Sequence, residues 1–235
     1  MRRIGLIGGM SWESSLHYYR LINQGIRDRL GGHHSADLVM VSVDFAPIEE
    51  MQRKDAWGAA AAVLAKAAKE CVGAGAEALA LCTNTMHVVA AAIEEAVDVP
   101  LIHIADASGE AIIRSNLRRV GLLGTSFTME RDFYRKRLEE KFDLQIVVPG
   151  KRSREDVHRV IFEELVHGVI NAESKERYLS VIEELAAEGA EAVILGCTEI
   201  GMLLARGDHR LPLFDTTELH AAAVVDWMLE DSRSK

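Results

Sequence analysis

Hydrophobic and polar positions along the chain fall into two alternating patterns. "IGLIGG" (4–9) is a short apolar run closing on glycines, which reads as a strand running into a tight turn. "ESSLHYYRLINQGIRDRL" (13–30) has a helical period, with Leu16, Tyr19, Ile22 and Ile26 on one predicted face. "DLVMVSVDF" (37–45) reads as a strand, "AWGAAAAVLAKAAKECVGAGA" (56–76) as an Ala-rich helix ended by glycines, and "EALALCT" (77–83) as a strand. This alternation predicts an α/β fold with a mostly parallel sheet flanked by helices.

The pattern then restarts. "RRIGLIGGMS" (2–11) matches "RRVGLLGTSF" (118–127) at an offset of 116, and Tyr19-Arg20 matches Tyr134-Arg135 at 115. "GAEALALCTNT" (75–85) matches "GAEAVILGCTE" (189–199) at 114, and "VPLIHIAD" (99–106) matches "LPLFDTTE" (211–218) at 112. Four blocks in one order with slowly drifting offsets predict two similar lobes related by an internal duplication and a pseudo-two-fold. A period this long is a pair, not a solenoid. The expected lobes are 1–100 with about 211–235, and 101–210, with a ligand site in the cleft between them. In the aligned "GAEA" blocks Cys197 falls opposite Thr83, and Cys82 falls opposite Gly196. The two cysteines that end apolar strands are therefore not equivalents: the symmetric pair is a hydroxyl and a thiol.

Composition narrows the picture by exclusion. The 235 residues are 49% hydrophobic, enough for a sizeable core, and the formal charge is −9 without a basic run, so no nucleic-acid partner is expected. No stretch approaches the ~18 apolar residues that span a membrane, and the N-terminus reads as a first strand rather than a signal peptide. The three cysteines, Cys71, Cys82 and Cys197, are few and odd in number, which fits reduced thiols and a cytoplasmic location. The histidines, His33-His34 included, lack metal-ligand spacing, so no metal is expected.

Thr83 and Cys197 each sit where an apolar strand ends and a helix is predicted to begin. Ligands of open α/β sheets bind outside the carboxyl ends of the strands, and helix N-termini there favour carboxylates. The same dipoles are expected to lower the Cys197 pKa, making the thiolate a base or nucleophile.

"GLIGGMSWES", "LCTNTMH", "LLGT" and "GCTEI", in this order, resemble the aspartate/glutamate racemase family, within the wider group that includes glutamate and hydantoin racemases. The resemblance covers essentially the whole chain. It implies a cofactor-independent isomerase, without pyridoxal phosphate, in which two residues on opposite sides of the substrate α-carbon move the proton. Most of the family uses two cysteines. Here the second motif is intact as Gly196-Cys197-Thr198-Glu199, but the first reads Thr83-Asn84-Thr85, a departure that the subgroup with "GGMSWES" and "CTNTMH" shares. The resemblance implies Thr83 and Cys197 as catalytic residues, with catalysis biased toward one enantiomer, L by family likeness. Cys82 swinging in as the second base is the alternative, opposed by the alternation of side chains along a strand.

It further implies that Asn84, Thr85 and Thr198 hydrogen-bond the α-carboxylate of an amino-acid substrate, with Glu199 orienting the turn or meeting the ammonium group. The backbone at Met10 and Ser11 is expected near substrate, with Thr125 as its counterpart in the second lobe, and the resemblance implies that the loop 44–54 reaches the substrate, with Gln52 and Arg53 as the candidates. A lysine common in the family near 162–168 is absent, and His167 is the nearest basic residue there, which admits neutral as well as acidic amino acids. A homodimer is a family expectation. Competing readings are a hydantoin racemase or maleate isomerase on the same scaffold, and a non-catalytic carboxylate-binding protein.

Overall fold

The computed structural model describes residues 1–230, in two compact units: Met1–His103 with the segment from His220 onward, and Ile104–Leu219. The first unit runs β1 (Ile4–Gly8), α1 (Trp12–Leu30), β2 (Leu38–Ser42), α2 (Phe45–Arg53), α3 (Trp57–Gly73), β3 (Ala78–Leu81), a 3-10 turn (Thr85–Val89), α4 (Ala90–Glu94) and β4 (Leu101–Ile102). The second runs α5 (Ile104–Arg114), β5 (Arg119–Gly124), α6 (Ser126–Glu130), α7 (Asp132–Phe142), β6 (Gln145–Val147), α8 (Lys151–Glu163), a 3-10 turn (Leu165–His167), α9 (Ala172–Ala187), β7 (Ala192–Gly196), α10 (Ile200–Leu203) and β8 (Leu213–Asp215). Helix α11 (Thr216–Leu229) starts in the second unit and returns the chain to the first.

Each unit holds a four-stranded parallel sheet flanked by helices, in the orders β2-β1-β3-β4 and β6-β5-β7-β8. The ladders carry the sequence repeat at residue level. Ile7 pairs with Leu81 and Leu123 with Leu195, while Leu79 pairs with Leu101 and Val193 with Leu213. These are the offsets 116, 114 and 112 read from the blocks. Strand β8 belongs to the second sheet, so the return to the first unit falls at residue 220 and not near 211.

The "GAE" blocks have a structural basis. Gly75 and Gly189 share φ +89, which turns the chain into β3 and β7. Glu77 accepts the Arg3 N–H at 2.8 Å, and one oxygen of Glu191 accepts those of Arg118 and Arg119 at 2.9 and 2.8 Å. Each carboxylate thus ties the start of the neighbouring central strand.

Side-chain alternation along β3 divides the first core. Leu79 and Leu81 pack with Leu64, Ala68 and Cys71, whereas Ala78, Ala80 and Cys82 pack with Tyr18, Ile22, Ile26 and Val224. The second unit has one continuous apolar cluster, from Ile104 to Leu204, that includes Cys197.

Two local expectations are corrected. On α1 the buried residues are Ser14, Ser15, Tyr18, Ile22 and Ile26, while Leu16 and Tyr19 are exposed. The face is turned because Ser15 must reach the β1 turn: its hydroxyl accepts the Gly9 N–H at 2.8 Å, and a Cβ on Gly8 would meet it. Small polar side chains take the inner face here, which hydrophobic periodicity alone misses. The stretch 44–54, expected as a loop, is mostly helix α2, capped by the Asp44 carboxylate accepting Ala46 N–H at 3.2 Å.

The turn at Gly9 is the backbone's tightest demand. It has φ +97, and a Cβ there would run into the Val43 carbonyl oxygen. Gly9→Ala should therefore cost at least ~2 kcal/mol, more than positive φ alone. Gly32→Ala, at φ +58 in open space, should cost about 1 kcal/mol. Urea denaturation midpoints measure both, and equal shifts would contradict the steric account.

Candidate active site

In the first unit the predicted residues gather at the carboxyl edge of the sheet. Beyond β1 the chain passes through Gly9 and buried Met10 to Ser11, the N-cap of α1, whose hydroxyl accepts Ser14 N–H at 3.4 Å. Ser14 Oγ approaches the Cys82 carbonyl at 3.3 Å, which joins this turn to the end of β3. Thr83, Asn84 and Thr85 follow and are buried although they lie beyond the strand. The His87 ring, which sequence reading passed over, donates from Nδ1 to the Thr83 carbonyl at 2.7 Å. Gln52 is buried, with its Nε2 2.9 Å from Met86 Sδ and, among the described residues, no hydrogen-bond partner for Oε1. Arg53 is not brought in with Gln52: its guanidinium is exposed, 3.9 Å from Glu49.

Cys82 lies in the apolar core, and burial pushes its thiol far up; the Cys71 thiol is pushed up to about 11 by the same cause. Burial of this kind disfavours the thiolate of both.

In the second unit Thr125 caps α6, its hydroxyl accepting Thr128 N–H at 3.3 Å. The next N–H, of Ser126, is accepted by His158 Nδ1 at 3.1 Å, and burial lowers the pKa of that imidazole. His158 lies 32 residues from Ser126 along the chain, so no local motif marks it. His167 is exposed.

Cys197 is the first residue past β7. Its Sγ–H donates to Glu199 Oε2 at 3.0 Å, and Thr198 Oγ1 donates to the same oxygen at 2.7 Å. Glu199 is only 3% exposed and Cys197 8%. Asp215, at the end of β8, is pushed up to about 6 by burial against the N–H groups of Glu218 and Thr217 that favour its charge.

These surroundings reverse the expected shift of Cys197. Burial first, then the Glu199 carboxylate as a charge and hydrogen-bond acceptor, and finally Asp215, hold its thiol well above the ordinary thiol range. The helix behind it, α10, has four residues, too short to oppose a buried carboxylate at hydrogen-bond distance. The resting residue is a thiol with an acceptor already in place for its proton. Among the described residues no group of three or more His, Cys, Asp or Glu is arranged to hold a metal ion. No helix among them is long and apolar enough to cross a membrane.

An α/β unit built twice, with chemistry-bearing residues at the carboxyl edge of each sheet, defines a class of enzyme scaffold, and comparison with known proteins identifies it. Residues 7–224 match the model of the Asp/Glu/hydantoin racemase family, and the chain belongs to that family of isomerases. A solved Yersinia pestis protein, provisionally described as an Asp/Glu racemase, is 48% identical over 98% of this chain and 100% of its own, with a TM-score of 0.91. An aspartate racemase homologue from Pyrococcus horikoshii is 37% identical over 97% and 99%, with a TM-score of 0.84. A glutamate racemase from Hydrogenobaculum is 30% identical over 113 residues, 48% of this chain but 41% of that protein, so the match spans less than half of that relative.

The buried carboxylate yields a test. Iodoacetamide alkylation of Cys197, followed by mass spectrometry, should still be rising above pH 9 in the free enzyme. Glu199→Gln removes the negative charge that disfavours the thiolate, so it should raise the rate at pH 8 by several-fold. An unchanged or slower rate would show that Glu199 does not set this thiol.

Proposed function

We propose that the protein is an amino-acid racemase independent of pyridoxal phosphate, acting on aspartate- or glutamate-type substrates. Cys197 and Thr83 serve opposite faces of the α-carbon. The observation that carries this reading is the matched position of the two residues. Each lies two places beyond a leucine, Leu81 or Leu195, that pairs with the same position of the neighbouring central strand.

Substrate binding brings an ammonium group, which offsets the cost of a thiolate. The Cys197 proton passes to Glu199, the thiolate takes the α-proton, and a carbanion stabilised by the carboxylate remains. Thr83, directly or through water, delivers a proton to the other face, and solvent restores its hydroxyl. Asn84, Thr85 and Thr198 bind the α-carboxylate, with the turns at Met10, Ser11 and Thr125 lining its surroundings. The buried Gln52 Oε1 accepts from the ammonium group. The exposure of Arg53, with no lysine at 162–168, favours a site that also accepts neutral polar amino acids.

The two enantiomers are equally stable, so kcat/KM for inversion is the same in both directions. The asymmetry of a thiol and a hydroxyl appears instead in exchange with retention, which Cys197 supports for the enantiomer whose hydrogen faces it. L is that enantiomer by family likeness.

Cys197→Ala should lower α-proton exchange of aspartate in D₂O by at least ~100-fold, the scale of a lost general acid–base, without added pyridoxal phosphate and with the fold intact by circular dichroism. Cys71→Ala should leave it largely unchanged. Thr83→Cys should speed exchange of the slower enantiomer by at least about tenfold. Wild-type exchange in Cys197→Ala, or activity that requires pyridoxal phosphate, would rule the mechanism out.

A further inference from the structure

A set of buried aromatic and imidazole rings lies behind Thr83, within the first unit. The bond between His87 Nδ1 and the Thr83 carbonyl, 2.7 Å long, fixes a tautomer: a carbonyl only accepts, so Nδ1 carries the hydrogen. The Thr83 N–H is in turn bound to the Leu81 carbonyl at 2.9 Å. Both peptide groups of Thr83 are thereby held, which limits where its hydroxyl can point. His87 is itself packed: its ring centroid lies 4.4 Å from that of His103, and both are buried. His103 follows Ile102, whose carbonyl accepts His220 Nε2–H at 2.7 Å, and His220 Nδ1 then accepts the Tyr18 hydroxyl at 2.8 Å. The chain of contacts runs from α1 and α11, through the end of β4, to the carbonyl of Thr83.

The duplication shows that this arrangement is not required by the fold. At the offsets of the repeat, His87 corresponds to Gly201 and His103 to Asp215. That second pair is also in contact, since a Cβ on Gly201 would run into the Asp215 carboxylate. The same two places hold imidazoles behind the hydroxyl of Thr83 and a glycine with a carboxylate behind the thiol of Cys197. A thiol needs an acceptor for its proton, whereas a weakly acidic hydroxyl needs accurate placement.

We propose that His87 is a positioning residue for Thr83: its Nδ1–H bond to the Thr83 carbonyl, backed by His103 and His220, aims the hydroxyl that delivers the second proton. This rests on the role of Thr83 proposed above. His87→Leu keeps the approximate size and removes the donor. It should lower inversion of aspartate, read by chiral chromatography, by at least about tenfold, since small misplacements of a reacting group cost up to 10²-fold. Exchange with retention at the Cys197 face, read by NMR in D₂O, should change less than about threefold in the same variant, an interval near the limit of a neutral contact. His87→Asn puts an amide N–H close to the place of Nδ1 and should restore inversion to within about threefold of wild type. His87→Gln places its amide one methylene further out and should not, so the Asn–Gln contrast decides the matter if the Leu variant does not fold. In a Thr83→Ala background His87→Leu should lower inversion no further.

Equal loss of inversion and retention, no loss of either, or failure of Asn to differ from Gln would overturn the role of His87 while leaving that of Thr83 standing. Inversion unaffected by Thr83→Ala alone would overturn the proposed function, and the role of His87 with it.

Discussion

The register of the parallel ladders is the constraint on which the rest depends. Ile7 opposite Leu81 and Leu123 opposite Leu195 decide which residue first leaves each sheet at its carboxyl edge. A slip of one residue in β3 would turn Cys82 out of the core and Thr83 into its place. The apolar set Ala78, Ala80 and Cys82 against Tyr18 and Ile22 opposes that slip, because it would carry every side chain of the strand to the other face. Chemistry at the edge is therefore held in place by burial in the middle.

On this shared backbone the two units place different polar groups behind the two strand ends. Past β7, Cys197 meets a buried carboxylate at hydrogen-bond distance, and a second carboxylate, that of Asp215, also raises its pKa. Past β3, the Thr83 carbonyl accepts from His87, whose ring packs on that of His103. A cysteine held as a thiol is protected from oxidation and alkylation, which act on the thiolate. In the proposed mechanism, the cost is that the base forms only in the complex with substrate.

Much of the fold was legible because the duplication prints the same strand pattern twice, and strand offsets survive as ladder offsets. The family was legible for the same reason: its motifs sit at strand ends, where apolar runs meet polar turns. What periodicity missed are places where contact overrides pattern. Ser14 and Ser15 displace Leu16 from the inner face of α1 because the Gly9 turn needs a hydroxyl. The helix over 45–53 was hidden by Pro47 and by a short length that reads as a loop. The direction of the Cys197 shift was misjudged because Glu199, two residues on, reads from sequence as an ordinary helix acid, and only its burial and its bond to the thiol reveal it. His87 and His158 were passed over because each acts on backbone, which leaves no motif.

The central claim is that a thiol and a hydroxyl, not two thiols, serve the two faces of the α-carbon. The measurement that bears on it most directly is the initial rate of α-proton exchange of L- and D-aspartate, taken separately with the wild-type enzyme in D₂O by proton NMR. The account predicts that one enantiomer exchanges at least about tenfold faster, largely with retention, since each unit of pKa mismatch is worth up to tenfold in rate. Equal exchange rates for the two enantiomers would contradict it and point to a second thiol, Cys82, at the other face.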